Sequence, residues 1–360
     1  MLKYGLIGSG MMGQEHIRNV ALVDGVEIAA IFDPDAGMRR EAAGLAPDAE
    51  FVESVAALLE RTELDALVIA SPNNLHVRQI ADIMDRRPLP LLVEKPLFTD
   101  RRDAALVERF VTEYPAPVWV AMEYRYMPPI ARLVADVAKA TGGVMMLTIR
   151  EHRFPFLAKV GDWNRFNRNT GGTLVEKCCH FFDLMRLILA DEPVRIMASG
   201  GQSVNHLDET YGGETPDIWD NAYVIAEFAG GARAMLELCM FADGSRYQEE
   251  ICAVGPAGKI EVRVPGPKRF WPAGEPEPVA EMTLSPRLTG RRGTERIPVD
   301  PRLLDSGDHN GATYFEHLRF ARVVRGLAVP EVSLRDGERA VAMALAAQAS
   351  AETGRAGELA

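Results

Sequence analysis

The chain has 360 residues, 47% hydrophobic and 25% charged, and carries a formal net charge of −11. This length allows two domains with substantial cores, and the composition is typical of an ordinary soluble globular protein. The excess of acidic residues argues against nucleic acid or an anionic membrane as a partner.

The cysteines and the start of the chain indicate the compartment. There is no C-x-x-C pair and no disulfide framework, so no metal site is predicted. The first predicted strand begins without a basic or cleavable apolar leader, and no later apolar run reaches the roughly 18 residues of a membrane span. We therefore expect a cytoplasmic protein. The cysteines are Cys178, Cys179, Cys239 and Cys252.

The first 33 residues are the most informative segment. A predicted strand over residues 4–7 leads into a glycine turn and a predicted helix, and a second strand over residues 27–32 ends at Asp33. Strand, glycine turn, helix, strand and acid follow one another in the order of a dinucleotide site. The turn consists of Gly8, Ser9, Gly10, Met11, Met12 and Gly13.

The three glycines of the turn have different predicted roles. Gly8 allows the tight turn out of the strand, and Gly10 lets the backbone approach a pyrophosphate without a Cβ in the way. Gly13 lets the helix pack close to the sheet. The phosphates are then expected at the unpaired N–H groups of the helix N-terminus.

Asp33 lies 20 residues after Gly13 and indicates which cofactor binds. Its carboxylate can accept hydrogen bonds from both ribose hydroxyls and repels a 2′-phosphate, which favours NAD. Arg39 and Arg40 weaken that preference, because a nearby arginine could hold the phosphate of NADP. NAD is the predicted cofactor, with NADP as the alternative.

The first third of the chain alternates strand and helix signals, which predicts parallel crossovers and an open doubly wound sheet. We assign residues 1–123 to a dinucleotide-binding Rossmann domain. Its further predicted helices are residues 37–44, 54–61, 74–86 and 102–114, and its further strands are at Phe51 and residues 66–70, 91–93 and 118–121.

In the rest of the chain strands follow strands, so residues 124–360 are predicted to form an α+β domain with a large, mostly antiparallel open sheet. Residues 265–308 are rich in Pro and Gly and could form a loop over the site or part of a subunit interface. The predicted strands are residues 145–149, 222–228, 232–240, 249–254 and 259–264, and the predicted helices are residues 174–189, 311–324 and 334–352.

Polar residues follow two strands of the first domain, where ligands of parallel sheets bind. Ser71, Asn73 and His76 follow one strand, and Glu94 and Lys95 follow the next. A lysine beside the nicotinamide could hold a reacting oxygen and stabilise an alkoxide before hydride transfer. The alternative is a surface lysine that pairs with Glu94.

A second group of polar residues lies in the predicted helix over residues 174–189. Glu176, His180 and Asp183 are spaced i, i+4 and i+7, which places them on one helical face. Histidine titrates close to neutral pH, so His180 suits the removal of a hydroxyl proton, and Glu176 could orient it or bind a substrate hydroxyl. Alternatively, His180 and Asp183 satisfy each other in the core.

Together these motifs resemble the Gfo/Idh/MocA oxidoreductases, a family that contains glucose-fructose oxidoreductase and inositol dehydrogenases. The resemblance extends essentially from end to end of the chain. It implies an NAD-dependent oxidoreductase of sugars or cyclic polyols that forms homodimers or homotetramers through its open sheet. The matching motifs are the glycine turn with Asp33, residues 71–76, residues 94–96, Tyr124-Arg125, and Gly171-Gly172 with His180 and Asp183.

The resemblance also implies individual roles. Lys95 contacts the reacting oxygen and the nicotinamide ribose, and His180 accepts the proton. The family commonly has aspartate at the position of Glu176 and a small residue at that of Cys178, and Lys177 adds a cation beside the site. These departures indicate a subfamily with its own substrate.

The stretch from residue 150 to residue 177 contains six cations and three acids. If Arg153, Arg165 or Lys177 faces the pocket, the substrate carries an anionic group; otherwise these charges form a solvated surface. Trp163 could stack on a sugar ring or belong to the core. The predicted substrate-binding residues are Lys95, Arg125, Arg153, Trp163, Arg165, Thr173, Glu176, Lys177 and His180, and Arg125 is also expected, with Asn73, His76 and Glu94, beside the cofactor.

Two other functions remain open from the sequence. An NAD-dependent glycoside hydrolase would oxidise a ring carbon transiently, eliminate the leaving group and retain its NAD. A regulatory nucleotide sensor would need the glycine turn but neither Lys95 nor His180, so the presence of both residues argues against it.

Overall fold

The computed structural model describes residues 1–359, which form two sheets. The first sheet has six parallel strands in the order β3-β2-β1-β4-β5-β6. This is the predicted Rossmann sheet, and its strand order reverses between β1 and β4, where a crevice forms. Its strands are β1 (Leu2–Ile7), β2 (Val26–Phe32), β3 (Glu50–Val52), β4 (Ala66–Ile69), β5 (Leu91–Glu94) and β6 (Val118–Ala121), and its helices are α1 (Met11–Val20), α2 (Ala36–Leu45), α3 (Val55–Leu59), α4 (His76–Arg86) and α5 (Ala104–Glu113).

The glycine turn between β1 and α1 has the geometry that the sequence predicts. Gly8 has φ +92°, and a Cβ there would lie 2.7 Å from the carbonyl oxygen of Ala70. A Cβ on Gly13 would lie 2.2 Å from the carbonyl oxygen of Gly8, so only glycine lets α1 approach the turn this closely. The helix N-terminus therefore faces the crevice.

The second sheet has nine strands in the order β14-β13-β12-β11-β7-β10-β9-β8-β15. Within residues 1–359, β7 and β10 form its one parallel pair, and the other neighbours are antiparallel, as predicted. Its strands are β7 (Met146–His152), β8 (Pro193–Gly201), β9 (Asn221–Phe228), β10 (Arg233–Cys239), β11 (Glu249–Gly255), β12 (Gly258–Val264), β13 (Ala280–Pro286), β14 (Gly293–Ile297) and β15 (Gly357–Glu358).

The helices of this half differ from the prediction at one important place. The helix expected over residues 174–189 is divided, because Lys177 and Cys178 form a turn and the Glu176 carbonyl accepts a hydrogen bond from Lys95 Nζ at 3.1 Å. That carbonyl therefore faces the nucleotide half. The helices are α6 (Pro128–Thr141), α7 (Asn167–Thr170), α8 (Thr173–Glu176), α9 (Cys179–Leu189), α10 (Pro301–Ser306), α11 (Ala312–Val324) and α12 (Leu334–Thr353).

The ends of residues 265–308 lie over the site, one of the two positions that the sequence left open, while a role at a subunit interface stays a prediction. The middle of the segment forms β13 and β14 at one edge of the large sheet. Near its ends, Pro267, Arg269 and Asp308 line a cavity beside Lys95. The ends of the segment therefore belong to the site.

The C-terminal helices return to the nucleotide half. The Val120 N–H of β6 donates to the Val332 carbonyl at 3.1 Å, and a Cβ on Gly337 of α12 would lie 2.8 Å from Val120. One continuous hydrophobic core joins the two halves, so the boundary at residue 123 stays a prediction. None of the helices in residues 1–359 is long and apolar enough to cross a bilayer.

Candidate active site

Two adjoining cavities lie at the carboxyl ends of β1, β4 and β5. The outer cavity has a volume of about 540 Å³ and reaches from the glycine turn and Asp33 to Lys95. The inner cavity continues from Lys95 toward His180 and His309. The two share Met11, Met12, Lys95, Lys159 and Glu176, so a ligand in the outer cavity lies directly beside one in the inner cavity.

The acid at the end of β2 is fixed at the outer cavity. The Ser9 N–H and hydroxyl donate to Asp33 Oδ2 at 2.6 and 3.1 Å, and the Asp35 N–H donates to Oδ1 at 2.8 Å. No atom of the described chain lies within 4 Å of a Cβ built on Gly10, which leaves room for a close ligand. These residues fit the ribose and pyrophosphate of a dinucleotide.

The charges around Asp33 indicate whether NAD or NADP binds. Asp35 and Glu41 also line the outer cavity there, and both add negative charge. Arg39 is absent from the cavity lining within residues 1–359, and it pairs instead with Glu53 at 3.4 Å. A 2′-phosphate would meet carboxylates at this place, so the structure favours NAD.

Lys95 follows β5 and lines both cavities. Its ammonium donates to the Glu176 carbonyl rather than to Glu94, whose carboxylate accepts from the backbone N–H of Lys95 at 3.1 Å and contacts His16 Nε2 at 2.9 Å. Burial lowers the pKa of Lys95, but the charges of nearby acids including Glu176 outweigh it and raise the pKa. The ammonium is therefore a permanent cation at the junction of the cavities.

His180 lies in the inner cavity without a partner. It is 1% exposed, its ring stacks on that of Tyr124 at 4.2 Å and 7°, and its Nδ1 has no hydrogen-bond partner in residues 1–359. Burial lowers the pKa of His180 well below its ordinary value, and the charges of Lys95 and Lys177 lower it further. The imidazole is therefore neutral and able to accept a proton.

Asp183 is not the partner of His180, so the alternative in which they satisfy each other is wrong. Asp183 is fully buried and forms an ion pair with Arg125, whose Nε donates to Oδ2 at 2.5 Å. The division of the predicted helix separates Glu176 from this face, and Asp183 lines neither of the cavities described here.

Glu176 lines both cavities, as the sequence suggested, but it does not contact the imidazole of His180. Its carboxylate accepts a hydrogen bond from Asn73 Nδ2 and lies 3.9 Å from Lys159 Nζ. The proposed orientation of His180 by Glu176 is therefore wrong, because Asn73 and Lys159 hold the carboxylate. Its other predicted role, binding a substrate hydroxyl, stays open.

Three predicted substrate residues are occupied by protein partners, and none of them lines either cavity in the described part of the chain. Arg125 is bound to Asp183, Arg165 Nε lies 3.1 Å from a carboxylate oxygen of Glu209, and the Thr173 hydroxyl donates to the Trp219 carbonyl at 2.7 Å. The structure thus corrects the placement of Arg125, Arg165 and Thr173 beside substrate.

His76 is a support of the site rather than part of its lining. Its Nδ1 lies 2.9 Å from the Pro96 carbonyl oxygen and its Nε2 3.0 Å from that of Ser71. The buried ring thereby joins the segments after β4 and β5, which carry Ser71 and Lys95. The prediction that His76 contacts the cofactor is corrected, because both of its ring nitrogens lie against backbone carbonyl oxygens of the protein.

The remaining predicted residues divide between the cavities. Trp163 lines the outer cavity, with Lys159 Nζ 4.8 Å from its ring centre. Arg153 and Lys177 line the inner cavity, and both pair with Glu151, at 3.5 and 2.9 Å. Ser71, Asn73 and Glu94 line the outer cavity as expected.

Several inner-cavity residues were not predicted. Tyr124 stacks on His180 and accepts a hydrogen bond from Lys177 Nζ at 2.5 Å. His309 and the carboxylates of Glu15 and Glu123 form another wall. Tyr124 was part of a recognised motif, but nothing in the sequence relates Glu15 to His309, because 294 residues separate them.

Comparison with known protein families agrees with this architecture. Residues 2–122 match the family model described as the NAD-binding Rossmann fold of the Gfo/Idh/MocA oxidoreductases, and residues 140–359 match the model of that family's C-terminal alpha/beta domain. The chain belongs to the Gfo/Idh/MocA family of NAD-dependent oxidoreductases.

Individual relatives are distant. The chain is 27% identical to the rhizopine catabolism protein MocA of Rhizobium meliloti over 277 residues, 75% of this chain and 79% of the relative. It is 27% identical to inositol 2-dehydrogenase 2 of Saccharopolyspora erythraea over 268 residues, 73% of this chain and 74% of the relative. A putative myo-inositol dehydrogenase structure from Sinorhizobium meliloti 1021 matches all of both chains, with a TM-score of 0.76 and 22% identity.

Proposed function

We propose that this protein oxidises a hydroxyl group of a sugar or cyclic polyol and transfers the hydride to NAD. One observation carries the proposal: Lys95, a permanent cation, and His180, a neutral base, line the same inner cavity beside the outer cavity of the glycine turn. The similarity to proteins named inositol 2-dehydrogenase supports a polyol substrate.

The two side chains divide the work. NAD held by the glycine turn and Asp33 would supply the hydride acceptor for the carbinol carbon. Lys95 Nζ holds the substrate oxygen and stabilises the negative charge that develops on it, while His180 takes the hydroxyl proton. Tyr124 stacks on the ring of His180, which lines the inner cavity and is neutral, so the imidazole is able to accept that proton.

The charges around His180 also favour release of the proton afterwards. Lys95, Lys177, His309 and Arg153 all act on His180 to lower its pKa. While the substrate oxygen carries negative charge, these cations are offset. Once the product carbonyl is neutral, they destabilise the imidazolium, and the proton leaves.

The same contacts suggest a neutral substrate rather than an anionic one. Each lining cation from residues 150–177 already has a carboxylate within 4.0 Å: Arg153 and Lys177 have Glu151, and Lys159 has Glu176. Paired charges match the hydroxyl groups of a polyol, which both donate and accept hydrogen bonds, better than a free carboxylate does.

NAD-dependent glycoside cleavage is the second candidate, because transient oxidation of a ring carbon would use the same lysine and histidine. It differs in its stoichiometry: a leaving group is released, and NAD is required but is not consumed. Release of nitrophenol from nitrophenyl glycosides without net NADH would favour this candidate over a dehydrogenase.

The test is NADH formation by the purified protein with NAD and a panel of cyclic polyols, aldoses and uronic acids, beginning with myo-inositol. The wild type is expected to form NADH, and the double variant K95M/H180N to lose at least about 10³-fold in kcat. The matched control, K139M/H206N, replaces the same residue types at positions that line neither cavity within residues 1–359, and it should retain wild-type turnover. Equal turnover of the two double variants would contradict the proposal.

We also propose that the uncovered face of the large sheet is a subunit interface. Met146 and Tyr223 are 62% and 58% exposed there, and Ile225 and Val254 are also exposed. Apolar side chains on an open sheet favour association with a second copy. Light scattering should show a dimer or tetramer, and Tyr223→Lys with Ile225→Lys should shift it toward monomer; a monomeric wild type would contradict this.

A further inference from the structure

We propose that His309 is a substrate-binding residue: its ring, fixed between two buried carboxylates, donates a hydrogen bond from Nε2 to a substrate oxygen remote from the reacting carbon. This inference rests on the proposed function, since it names the group that recognises the polyol in the same cavity.

The position of the His309 ring is determined by Glu15 and Glu123. Nδ1 lies 2.8 Å from Glu15 Oε1 and 3.3 Å from Glu123 Oε1. The two carboxylates are 3% and 1% exposed, and the Thr313 hydroxyl contacts both, at 2.9 and 2.6 Å. The Asp308 N–H donates to the other oxygen of Glu15 at 3.2 Å. We call Glu15, Glu123, His309 and Thr313 the His309 cluster.

The His309 cluster joins distant parts of the chain. Glu15 lies on α1 directly after the glycine turn, Glu123 follows β6, and His309 precedes α11, which carries Thr313. The cluster therefore connects the nucleotide half to the C-terminal helices at the wall of the inner cavity. A substrate contact from His309 would be built on a rigid support.

The carboxylates also determine the charge of the ring. Burial lowers the pKa of His309, but the charges of Glu123 and Glu15 raise it to about 9, against an opposing contribution from Lys177. The two acids differ: against the effect of burial, His309 and backbone and hydroxyl donors lower the pKa of Glu15 to about 2, whereas burial raises the pKa of Glu123 to about 7. Glu15 is therefore the charged partner at neutral pH, and the ring paired with it is an imidazolium that carries protons on both nitrogens. Nδ1–H is engaged, whereas Nε2 has no hydrogen-bond partner among the described residues, although His309 lines the cavity.

His309 is close to the reaction centre without belonging to it. Tyr124 contacts both histidines: its ring centre lies 4.2 Å from that of His180 and 6.0 Å from that of His309. A cyclic polyol carries hydroxyls around its ring. One hydroxyl can therefore lie at Lys95 and His180 while another accepts from His309.

A metal ion is the competing occupant of this cluster. The ligand-type atoms of Glu15, Glu123 and His309 lie within 4.8 Å of one another. We assign the proton on Nδ1 to the position between the carboxylates, because the 2.8 Å distance to Glu15 is that of a charge-assisted hydrogen bond. Substrate binding that requires a divalent cation and is abolished by a chelator would overturn this assignment.

The kinetic test uses His309→Asn and His309→Phe with the panel substrate that the wild type oxidises most efficiently. We expect KM to rise about 10- to 100-fold, because one hydrogen bond from a charged donor to the substrate is lost. The kcat and the Kd for NAD should change less than about 3-fold. The matched control, His206→Phe, replaces a histidine that contacts Glu209 and lines neither cavity within residues 1–359, and it should leave KM unchanged. Turnover with an unchanged KM in both His309 variants would overturn the inference.

The second measurement does not depend on those variants folding. In NADH-bound wild-type protein, the NMR signals of the His309 ring should titrate near pH 9, and those in Glu123→Gln at lower pH, because one of the two carboxylate charges is removed. The charged and titratable groups around the ring are Glu15, Glu94, Glu123, Asp308, Tyr124, Lys177, His180 and Arg269. A ring that is neutral at pH 7 would overturn the inference. Failure of the wild type to form NADH with any panel member would instead contradict the proposed function, and the inference with it.

Discussion

The two histidines of the inner cavity, His180 and His309, share an aromatic neighbour and differ in nearly everything else. Both contact Tyr124, although His180 is 1% exposed and the His309 side chain is 20% exposed. His180 has no hydrogen-bond partner for Nδ1 within residues 1–359 and is surrounded by cations, so it is neutral. His309 lies between two carboxylates and is charged. Burial lowers the pKa of both rings; the cations around His180 add to that effect, whereas the carboxylates around His309 outweigh it.

The difference corresponds to two tasks. A proton acceptor must be neutral before the reaction and must have a free lone pair, which a strong hydrogen-bonding partner would occupy. A recognition residue gains from the opposite arrangement, because a fixed ring in one protonation state presents the same donor to every substrate molecule. Each of the following experiments removes one part of this contrast.

The largest effect is expected from His180→Asn. This variant should lose about 10²- to 10⁴-fold in kcat, the usual contribution of a positioned general base, with KM changed only a few-fold. The His309 variants should show the reverse, a raised KM with kcat nearly retained. Steady-state kinetics of the His180 and His309 variants on one substrate measure kcat and KM for each. Similar losses of kcat in the two sets of variants would contradict the assignment of different roles to the two histidines.

Asp183→Asn should separate stability from chemistry. Removing the charge of Asp183 leaves the guanidinium of Arg125 buried without its counter-ion, and the free energy of unfolding should fall by about 3 kcal/mol. The acid limb of the kcat/KM profile should not move, because Asp183 is not a partner of His180. Denaturant unfolding measures the stability, and the pH dependence of kcat/KM measures the acid limb. A displaced acid limb would support an interaction between Asp183 and His180.

Glu15→Gln should weaken the protein in a pH-dependent way. The folded pKa of His309, raised to about 9, contributes stability that is complete below pH 6.5 and is lost as the pH rises through 9. The folded pKa of Glu15, lowered to about 2, contributes stability that is complete above pH 4.5 and is lost as the pH falls through 2. Both contributions are complete between pH 4.5 and 6.5.

The cost of Glu15→Gln should therefore be about 2 kcal/mol near pH 6 and smaller near pH 10. Urea unfolding of wild type and variant at both pH values measures it. Glu53→Gln, at an exposed ion pair with Arg39, is the matched control and should change stability by less than about 1 kcal/mol. A pH-independent cost for Glu15→Gln would mean that His309 is not held as a cation.

The smallest effect is expected from Lys177→Met. Lys177 is one of the cations that lower the pKa of His180, so its removal should raise that pKa toward 6.5. Oxidation needs the neutral imidazole, so the acid limb of kcat/KM should move to higher pH, but not as far as 6.5, because burial still lowers the pKa. Lys259→Met should leave the limb in place. A shift in the opposite direction would contradict the charge assignment.

The nucleotide half was predictable because its signals are local. Gly8, Gly13 and Asp33 mark a turn and a strand end within 33 residues, and Lys95 follows a short buried strand, so their common edge follows from parallel topology. The antiparallel strands of the second half were also predictable where hydrophobic and polar residues alternate clearly in the sequence. The helix over residues 174–189 was predicted unbroken, since its apolar pattern continues across the turn at Lys177 and Cys178.

The partners of individual side chains were not predictable. Arg125 and Arg165 carry charges that any cavity could use, and only the fold shows that Asp183 and Glu209 occupy them. The His309 cluster depends on a contact across 294 residues, for which a single sequence has no periodic signal. Local patterns therefore indicated Lys95 and His180 of the proposed reaction centre, while the His309 cluster could be found only in the three-dimensional structure.

The most direct test of the central claim is a crystal structure of the protein with NADH and its best panel substrate. Lys95 Nζ and a ring nitrogen of His180 should both lie within about 3.2 Å of one substrate oxygen, the one on the carbon that faces the nicotinamide. Substrate oxygens bound separately by the two side chains, or a polyol held outside the inner cavity, would contradict the account.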